Sequence, residues 1–292
     1  MNLYTPTGIG QIMERFGFSF SKKFGQNFLI NEAVVEKIAD ASYSRATGEK
    51  KACIEIGPGI GSLTAKLAQR YDRVVCIEID DRLPPVLQHT LAEYPNVKVI
   101  LADALQVNFY RLVQEELAGY SVSVCANPPY YITSQIVTRL LEEAPAFCSL
   151  VLMVQKEAAA RLVSAPGQAE YGSIAACVSY YAKVNKLFDV QPGSFMPRPR
   201  VVSTVLAVLP YSQKPVSPRD PQVFLSLIRA SFAQRRKTLI NSLVSYYGPG
   251  YSKESLLQAM KQSGVAPTRR GETLSLQELC RLSDALSKKI ES

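Results

Sequence analysis

Three motifs of the chain have residue types suited to binding a nucleoside. The segment Gly57-Pro58-Gly59-Ile60-Gly61, Glu78 and Asp103 each lie at the end of an apolar, strand-like run, where α/β folds bind their ligands. The glycine spacing differs from the dinucleotide fingerprint and Pro58 has no N–H for a phosphate, so we predict a nucleoside cofactor without a pyrophosphate. Glu78 is placed to accept from ribose hydroxyls, and Asp103 from an adenine amino group. For each motif alone, a tight turn or a solvated carboxylate is the plainer alternative.

A fourth strand-like run ends in Asn127-Pro128-Pro129-Tyr130. A residue before proline is held extended and proline has no N–H, so this segment forms a rigid edge rich in acceptors. The Asn127 side-chain oxygen and the Pro128 carbonyl can accept both hydrogens of an –NH2 group, and the Tyr130 ring offers a face to a planar base. Holding an exocyclic purine amine in this way directs its lone pair at an electrophile. The motif therefore predicts methylation of an amine, although such a turn also occurs in loops for structural reasons.

Alternating strand-like and helical patterns position these motifs. Apolar, β-rich runs occupy residues 52–56, 74–79, 97–101, 122–126 and 150–154. Amphipathic stretches begin near Ser62, Arg82, Tyr110 and Ile132. This alternation predicts βαβ units, and therefore a doubly wound α/β fold with a parallel sheet. Two later runs, 183–190 and 203–209, have no long helix between them, which predicts an antiparallel edge of the sheet.

The last quarter of the chain differs in pattern and in charge. After a proline-containing linker, helical periodicity occurs at residues 222–234, 238–246, 253–262 and 275–290. Residues 213–292 carry thirteen Lys or Arg against six Asp or Glu, a balance of +7 within the +8 of the whole chain. We therefore divide the chain into an α/β domain with an N-terminal extension, residues 1–212, and a basic helical domain, residues 213–292. The second domain is predicted to face a polyanion, although a solvated basic surface explains the charge equally well.

Composition excludes several classes of protein. The chain has 292 residues, 47% of them hydrophobic, and its apolar runs are short, far below the ~20 residues of a membrane span. We expect no export signal at the N-terminus and no membrane association. The six cysteines form no C-x-x-C pair and lie mostly in apolar runs, which predicts buried thiols in a reducing cytoplasm. The single histidine, His89, excludes a multi-histidine metal site, and we predict no metal.

At these motifs the chain resembles the S-adenosylmethionine-dependent adenine N6-methyltransferases, which have a Rossmann-like seven-stranded sheet. Further motifs narrow the resemblance to the ribosomal RNA adenine dimethyltransferases, in particular the bacterial type that modifies two adjacent adenosines near the 3′ end of 16S rRNA. These motifs are Lys23-Phe24-Gly25-Gln26-Asn27-Phe28-Leu29, Val154-Gln155-Lys156-Glu157, Phe195-Met196-Pro197-Arg198-Pro199-Arg200-Val201 and Phe232-Ala233-Gln234-Arg235-Arg236-Lys237-Thr238-Leu239 with Asn241. The resemblance covers about residues 20–285. The chain departs from the family pattern at Pro128, usually leucine, and at Val202, usually aspartate.

The resemblance implies roles for individual residues. It implies an S-adenosylmethionine site made of Asn27, Leu29, Gly57, Glu78, Asp103 and Asn127. Within that site Gly57 would contact the methionine part, and Asn127 would lie between the cofactor and the target amine. Together with Asn127 and Pro128, Tyr130 and Phe195 would form the catalytic set, with the two rings sandwiching a flipped base. Taken without the resemblance, Phe195 is more simply a packed core aromatic.

The resemblance also implies the partner. The rRNA phosphates would be bound by Lys22, Lys23, Arg235, Arg236, Lys237, Arg269 and Arg270, with a contribution that falls steeply as salt rises. The expected partner is 16S rRNA within the assembling 30S subunit, and the enzyme is expected to be a cytoplasmic monomer with a role in late subunit assembly.

Three alternatives remain at this point: a related large-subunit rRNA methyltransferase that confers macrolide resistance, a DNA adenine methyltransferase, and a non-catalytic RNA-binding factor. The basic helical domain argues against the first and the lack of a target-recognition domain against the second. The intact set of Gly57, Glu78, Asp103 and Asn127 argues against the third.

Overall fold

The computed structural model describes residues 2–21, 25–129, 132–143 and 147–287. Close contacts along the chain divide it into two units. The first, which we call the sheet unit, comprises residues 1–159 and 184–210, and the second, the helical unit, comprises residues 160–183 and 211–292.

A seven-stranded sheet forms the centre of the sheet unit. The strands of the chain are β1 (Phe28–Leu29), β2 (Lys51–Ile56), β3 (Arg73–Glu78), β4 (Val97–Leu101), β5 (Ser121–Ala126), β6 (Ser149–Gln155), β7 (Ala182–Val190), β8 (Phe195–Met196) and β9 (Ser203–Pro210). The large sheet has the order β4-β3-β2-β5-β6-β9-β7. Each strand predicted from the sequence is present in it, with ends that differ by at most one residue.

The pairing of these strands confirms the predicted α/β fold. β4, β3, β2, β5 and β6 are parallel to their neighbours, whereas β9 runs antiparallel to β6. The neighbouring strands β3, β2 and β5 are buried over all but their first residue. Strands with both faces covered need apolar residues throughout, which explains why they are continuous apolar runs rather than alternating ones.

In the described part of the chain, six α-helices lie wholly within the sheet unit. They are α1 (Pro6–Phe16), α2 (Glu32–Tyr43), α3 (Ser62–Ala68), α4 (Pro84–Thr90), α5 (Phe109–Glu116) and α6 (Thr133–Glu143). The last four begin within two residues of the predicted starts. The N-terminal extension, for which the sequence predicts no element, contains α1 and α2, and both begin at a capping side chain: Thr5 accepts from the amide of Gly8, and Asn31 from that of Val34.

A small second sheet joins two distant parts of the sheet unit. β1 and β8 pair antiparallel, with Phe28 opposite Met196 and Leu29 opposite Phe195. This pairing fixes the segment before α2 against the segment before β9. The pairing determines which side chains of β1 and β8 face the core and which face the candidate site described below.

The helical unit has its own hydrophobic core. Its helices are α7 (Lys156–Val163), which leads out of the sheet unit, α8 (Ser173–Tyr181), α9 (Pro221–Phe232), α10 (Leu239–Tyr247), α11 (Lys253–Ser263) and α12 (Leu276–Ser287). The sequence-based division places residues 160–183 in the first domain, whereas their contacts place them in the helical unit. The reason is packing, because Tyr171 and Tyr180 are buried among the helical-unit core residues and contact the rings of Phe232 and Phe224.

The cysteines are free thiols, as predicted. Cys53, Cys76, Cys125, Cys177 and Cys280 are buried, and Cys148 is partly exposed. Across the part of the chain that the structure describes, the helices are too short or too polar to cross a membrane.

Candidate active site

The register of the sheet brings three of the predicted site residues side by side. Ile56, the last residue of β2, pairs with Ile77 on one side and with Ala126 on the other. The chain therefore continues into Gly57, Glu78 and Asn127 at the same edge of the sheet. Leu101 at the end of β4 pairs with Glu78 at the end of β3. Asp103, two residues after Leu101, therefore lies just beyond the end of the strand next to β3.

The glycine-rich turn has a conformation that requires glycine. Gly57, Gly59 and Gly61 have φ values of 74°, 59° and 90°, a region that L side chains rarely adopt. A Cβ added at Gly59 would lie 3.0 Å from the ring of Phe28, and one at Gly57 would lie 3.7 Å from the Asn127 carbonyl oxygen. The turn therefore leaves open the space that side chains would fill.

Glu78 holds the geometry of two turns at once. One carboxylate oxygen accepts from the amide of Gly59 at 3.2 Å, and the other accepts from the amides of Ile79 and Asp80 at 2.9 Å each. The residue is 5% exposed. Burial raises the pKa of the Glu78 carboxyl, and the three backbone N–H groups oppose that rise. An oxygen with a second lone pair can also accept from a hydroxyl of a ligand.

Asp103 and Asn127 keep unused hydrogen-bonding capacity. One oxygen of Asp103 accepts from the amide of Leu105 at 2.8 Å, and its second oxygen has no partner among the described residues. The Asn127 side chain, half-buried at the end of β5, also has no hydrogen-bond partner within the described part of the chain. Polar groups in a partly buried position are normally paired, so both side chains are available to a ligand.

A cavity of about 240 Å³ lies over these strand ends. Its polar lining includes Asn27, Glu78, Asp103 and Asn127, together with backbone of the glycine turn. Apolar side chains line the rest, namely Phe28, Ile56, Ile77, Ile79, Leu83, Leu105 and Ile132. An adenosyl group needs both parts, apolar faces for the base and acceptors for the hydroxyls and the amino group. The residues present therefore fit S-adenosylmethionine.

Phe28 and Ile79 are among the cavity residues that were not identified from the sequence. Ile79 is 46% exposed although it follows a buried strand. The sequence signal that could have found it is an apolar residue placed directly after Glu78, the carboxylate predicted to bind the ribose. Phe28 lies within a motif of the resemblance, but only the pairing of β1 with β8 shows that it faces the cavity.

Several predicted residues lie elsewhere. Leu29 and Phe195 are 4% and 3% exposed, belong to the core of the sheet unit, and do not line the cavity. They are paired across β1 and β8, which turns both side chains inward while Phe28 faces the cavity. Their predicted places, lining the cofactor site and stacking on the base, are therefore not those in the structure. Lys22, Lys23 and Tyr130 lie outside the described residues.

Beneath the glycine turn, Glu55 is a fully buried carboxyl that the sequence analysis did not single out. It is 1% exposed and its oxygen lies 3.6 Å from the thiol of Cys76. Burial, with the nearby charge of Glu78 as a smaller cause, raises the pKa of Glu55 to about 7 from an ordinary value of 4.5. The folded protein therefore binds a proton here that the unfolded chain releases between those two pH values.

We expect the variant Glu55→Gln to be more stable than the parent at pH 8. Because the folded-state pKa is raised, the stability associated with Glu55 is fully present below pH 4.5 and is lost as pH rises through 7. The amide cannot ionise, so the variant avoids a cost on the order of 3 kcal/mol at pH 8. Urea denaturation at pH 5 and pH 8 checks this. A Glu55→Gln variant that loses stability between those pH values as steeply as the parent would contradict it.

In the helical unit, two of the predicted phosphate-binding arginines are used by the fold. Arg269 pairs with Glu278, donates to the carbonyl and hydroxyl of Thr273, and accepts through its own carbonyl from the amide of Leu239. The bond from Arg269 lowers the pKa of Glu278 to about 2. Arg235 donates to the Ala169 carbonyl and to the Tyr171 carbonyl. These arginines hold loops of the helical unit together.

The neighbouring cations are more available. Arg236 and Lys237 are exposed, and their side chains have no partner among the described residues. Arg270 is 55% exposed and lies 3.9 Å from Glu272, a long and weak ion pair. Among the described residues of the predicted set, these three side chains are the most available to an anionic partner.

Comparison with known proteins identifies relatives over nearly the whole chain. The family model described as ribosomal RNA adenine dimethylase matches residues 17–288. A protein of Geobacillus sp. (strain WCH70) named ribosomal RNA small subunit methyltransferase A is 42% identical over 288 residues, 98% of each chain. The protein of the same name from Geobacillus thermodenitrificans is 44% identical, over 98% of this chain and 97% of its own.

Solved structures share the fold. A dimethyladenosine transferase from Plasmodium falciparum aligns with a TM-score of 0.74 at 24% identity, covering 89% of this chain and 98% of its own. The 23S rRNA methyltransferase ErmE aligns with a TM-score of 0.65 at 23% identity, covering 89% of this chain and all of its own. At these identities the likeness concerns the fold alone.

Proposed function

Since this chain belongs to the ribosomal RNA adenine dimethylase family, it is an S-adenosylmethionine-dependent methyltransferase, and we propose that it dimethylates N6 of two adjacent adenosines near the 3′ end of 16S rRNA. The observation that carries this proposal is the position of Asn127. Its side chain lies beside the glycine turn at the centre of the row of strand ends and has no hydrogen-bond partner among the described residues. It is therefore free to hold a target amine next to the cofactor.

S-adenosylmethionine supplies a methyl group on a positively charged sulfur, which is already a good leaving group. The residues of the protein position the target amine relative to that methyl group. The Asn127 side-chain oxygen and the Pro128 carbonyl accept the two N–H hydrogens of the adenine amine, which favours a pyramidal nitrogen with its lone pair directed at the methyl carbon. The proton of the methylated amine then leaves to water. This mechanism needs acceptors rather than a strong base, in keeping with the lack of N–H groups at Pro128 and Pro129.

The cofactor would be held by residues from three neighbouring strand ends. Gly57 approaches the methionine part, Glu78 accepts from the ribose hydroxyls, and the unused oxygen of Asp103 accepts from the adenine amino group. Asn27 closes the cavity from the N-terminal side. Because Leu29 lies in the core, we assign it to supporting the segment that carries Asn27.

Tyr130 supplies the ring that stacks on the flipped target base. Phe195 supports the site from the core, because its ring is buried against the sheet unit and holds the strand that carries Phe28. Stacking on one ring still offsets part of the cost of extruding a base, since base–aromatic stacking contributes about 1–3 kcal/mol.

The RNA would be bound chiefly by cations that the fold leaves free. We assign phosphate contacts to Arg236, Lys237 and Arg270, with Lys22 and Lys23 as further candidates. Structured RNA is recognised largely by shape, so the substrate is a folded rRNA surface in the assembling 30S subunit. We further propose a monomeric enzyme, acting in the cytoplasm, with a role in late subunit assembly.

Methyl transfer from labelled S-adenosylmethionine to small ribosomal subunits that lack the modification tests this function. Large subunits and duplex DNA serve as alternative substrates. Label recovered as dimethyladenosine from the small subunit is the expected result. Label only on large subunits or on DNA would overturn the substrate assignment.

The double variant Arg236→Ala/Lys237→Ala is expected to bind rRNA more weakly and with a weaker dependence on salt. Two phosphate contacts are lost, and each lost contact lowers the slope of log K against log salt concentration by about 1. Binding of the substrate rRNA at several salt concentrations measures both effects.

The matched control is Lys37→Ala/Lys50→Ala, which removes the same charge from exposed positions of the sheet unit. An equal loss of affinity in this control would show that net charge, rather than a contact in the helical unit, is responsible. Arg269→Ala is unsuitable for this purpose, because it leaves Glu278 without its ion pair and is expected to destabilise the helical unit.

A further inference from the structure

Asp80 is a charged side chain that the proposed mechanism does not use. It lies two residues after Glu78 and its side chain is fully buried. Its carboxylate receives the guanidinium of Arg82 at 2.8 and 2.6 Å and the backbone amide of Arg82 at 3.2 Å. A buried carboxylate needs such partners, and the bond from Arg82 holds the pKa of Asp80 below its ordinary range. Asp80 is therefore charged at neutral pH.

The fourth hydrogen bond to the Asp80 carboxylate comes from the N-terminal segment. The side-chain amide of Gln26 donates to Asp80 at 2.6 Å, while its oxygen accepts from the backbone amide of Ser21 at 2.8 Å. Arg82 reaches the same segment, since its guanidinium donates to the carbonyl of Ser19 at 3.3 Å. The turn after β3 is thus connected to the N-terminal segment by two hydrogen bonds, to Gln26 and to Ser19, and the bond between Ser21 and Gln26 joins residues within that segment.

This connection lies directly beside the cavity. Gly25, Gln26, Asn27 and Phe28 form one wall of it, and the Phe28 ring approaches Gly59 so closely that a Cβ there would lie 3.0 Å away. On the other side, Glu78 accepts from the amide of Asp80. One turn therefore carries both the ribose-binding carboxylate and the carboxylate that holds the opposite wall.

We propose that Asp80 and Gln26 are positioning residues that fasten the N-terminal segment over the cofactor, so that breaking their hydrogen bond weakens the binding of S-adenosylmethionine. Asp80 acts through Gln26 and Arg82 and contacts no reacting atom. The proposal rests on the proposed function only in taking S-adenosylmethionine as the ligand of the cavity. Gln26 belongs to a motif that carries the family resemblance, but the resemblance implies no role for it. The proposal gives this side chain a structural role.

The affinity for S-adenosylmethionine of purified variants, measured by calorimetry without RNA, tests the proposal. Gln26→Leu removes the donor to Asp80 and is expected to weaken binding about tenfold, the effect of losing one hydrogen bond to a charged group. Gln26→Glu places a carboxylate against Asp80 and is expected to weaken it further. Gln88→Glu makes the same chemical change at an exposed position of α4 and is expected to leave the affinity unchanged.

The double variant Gln26→Glu/Asp80→Asn exchanges donor and acceptor. It is expected to recover most of the affinity lost in Gln26→Glu, because the new amide donates to the new carboxylate. At saturating cofactor, kcat of Gln26→Leu is expected to stay near that of the parent, so that the loss appears in KM. If the fold-losses in affinity of Gln26→Glu and Asp80→Asn simply multiply in the double variant, the proposal is overturned.

Hydrogen exchange provides a readout on the protein without cofactor. In Gln26→Leu, amides of residues 17–21 and 25–29 are expected to exchange faster than in the parent, whereas those of β5 are expected to be unchanged. Because Gln26 is only half-buried, this variant is expected to fold even if Asp80→Asn does not. If Gln26→Leu leaves both the affinity for S-adenosylmethionine and the rates of hydrogen exchange unchanged, the proposal is overturned. A protein that passes these tests but leaves small-subunit rRNA unmodified would instead contradict the proposed substrate.

Discussion

Replacing Asn127 by alanine is expected to lower kcat for methyl transfer by roughly 10²- to 10³-fold, the usual cost of removing one well-placed hydrogen-bonding group at a reacting centre. The side chain has no partner among the described residues, so its removal leaves no buried group unpaired and the fold is expected to be unaffected. The binding of S-adenosylmethionine is expected to change much less than kcat, because Glu78 and Asp103 hold the adenosyl part.

Single-turnover transfer to unmodified small subunits measures this effect, and calorimetry measures the affinity for the cofactor. Asn127→Asp is the matched control, since it keeps an acceptor oxygen at the same position and is expected to retain more activity than the alanine variant. An alanine variant with the kcat of the parent would remove Asn127 from the mechanism. Equal losses in both variants would show that the amide, rather than the acceptor, is what the reaction needs.

Glu78→Ala is expected to weaken the binding of S-adenosylmethionine by about 100-fold or more. The change removes the acceptor for the ribose hydroxyls, and two hydrogen bonds to a charged group are worth about 3 kcal/mol. It also leaves the amides of Gly59, Ile79 and Asp80 without their acceptor. Both the glycine turn and the turn that carries Asp80 are then expected to lose their shape, so the stability of the protein falls as well.

Glu93→Ala provides the control, because it removes the same charge from an exposed position of the sheet unit. Calorimetry gives the affinities, and circular dichroism shows whether the variant is folded at the temperature used. A folded Glu78→Ala protein that binds the cofactor as the parent does would contradict the assignment of Glu78.

The parts of the fold that the sequence predicts well are those coded locally. The central strands are continuous apolar runs because both faces are covered, and their ends are marked by Gly57, Glu78, Asp103 and Asn127. Parallel strands end at the same edge of a sheet, so predicting the strands was enough to bring these residues together.

The rest depends on pairings between distant residues. β1 and β8 are two residues each and are about 165 positions apart, so neither has a periodicity that could reveal it. Their pairing decides that Phe28 faces the cavity and that Phe195 is buried. Similarly, the charge of Arg269 is visible in the sequence, but its ion pair with Glu278 is visible only in the structure. A basic residue can bind RNA phosphates or form an ion pair within the fold, and composition does not distinguish these two roles.

The position of β4 at the end of the strand order has a consequence for how the cofactor leaves. Within the described residues this strand pairs on one side only, with β3, and its first and last residues are half-buried and exposed. Edge segments of this kind open locally at a smaller free-energy cost than a central strand. Since Asp103 follows β4, whereas Gly57 and Asn127 follow central strands, fraying of the edge releases the adenine end first. The methionine end, held at the middle of the sheet, is expected to dissociate last.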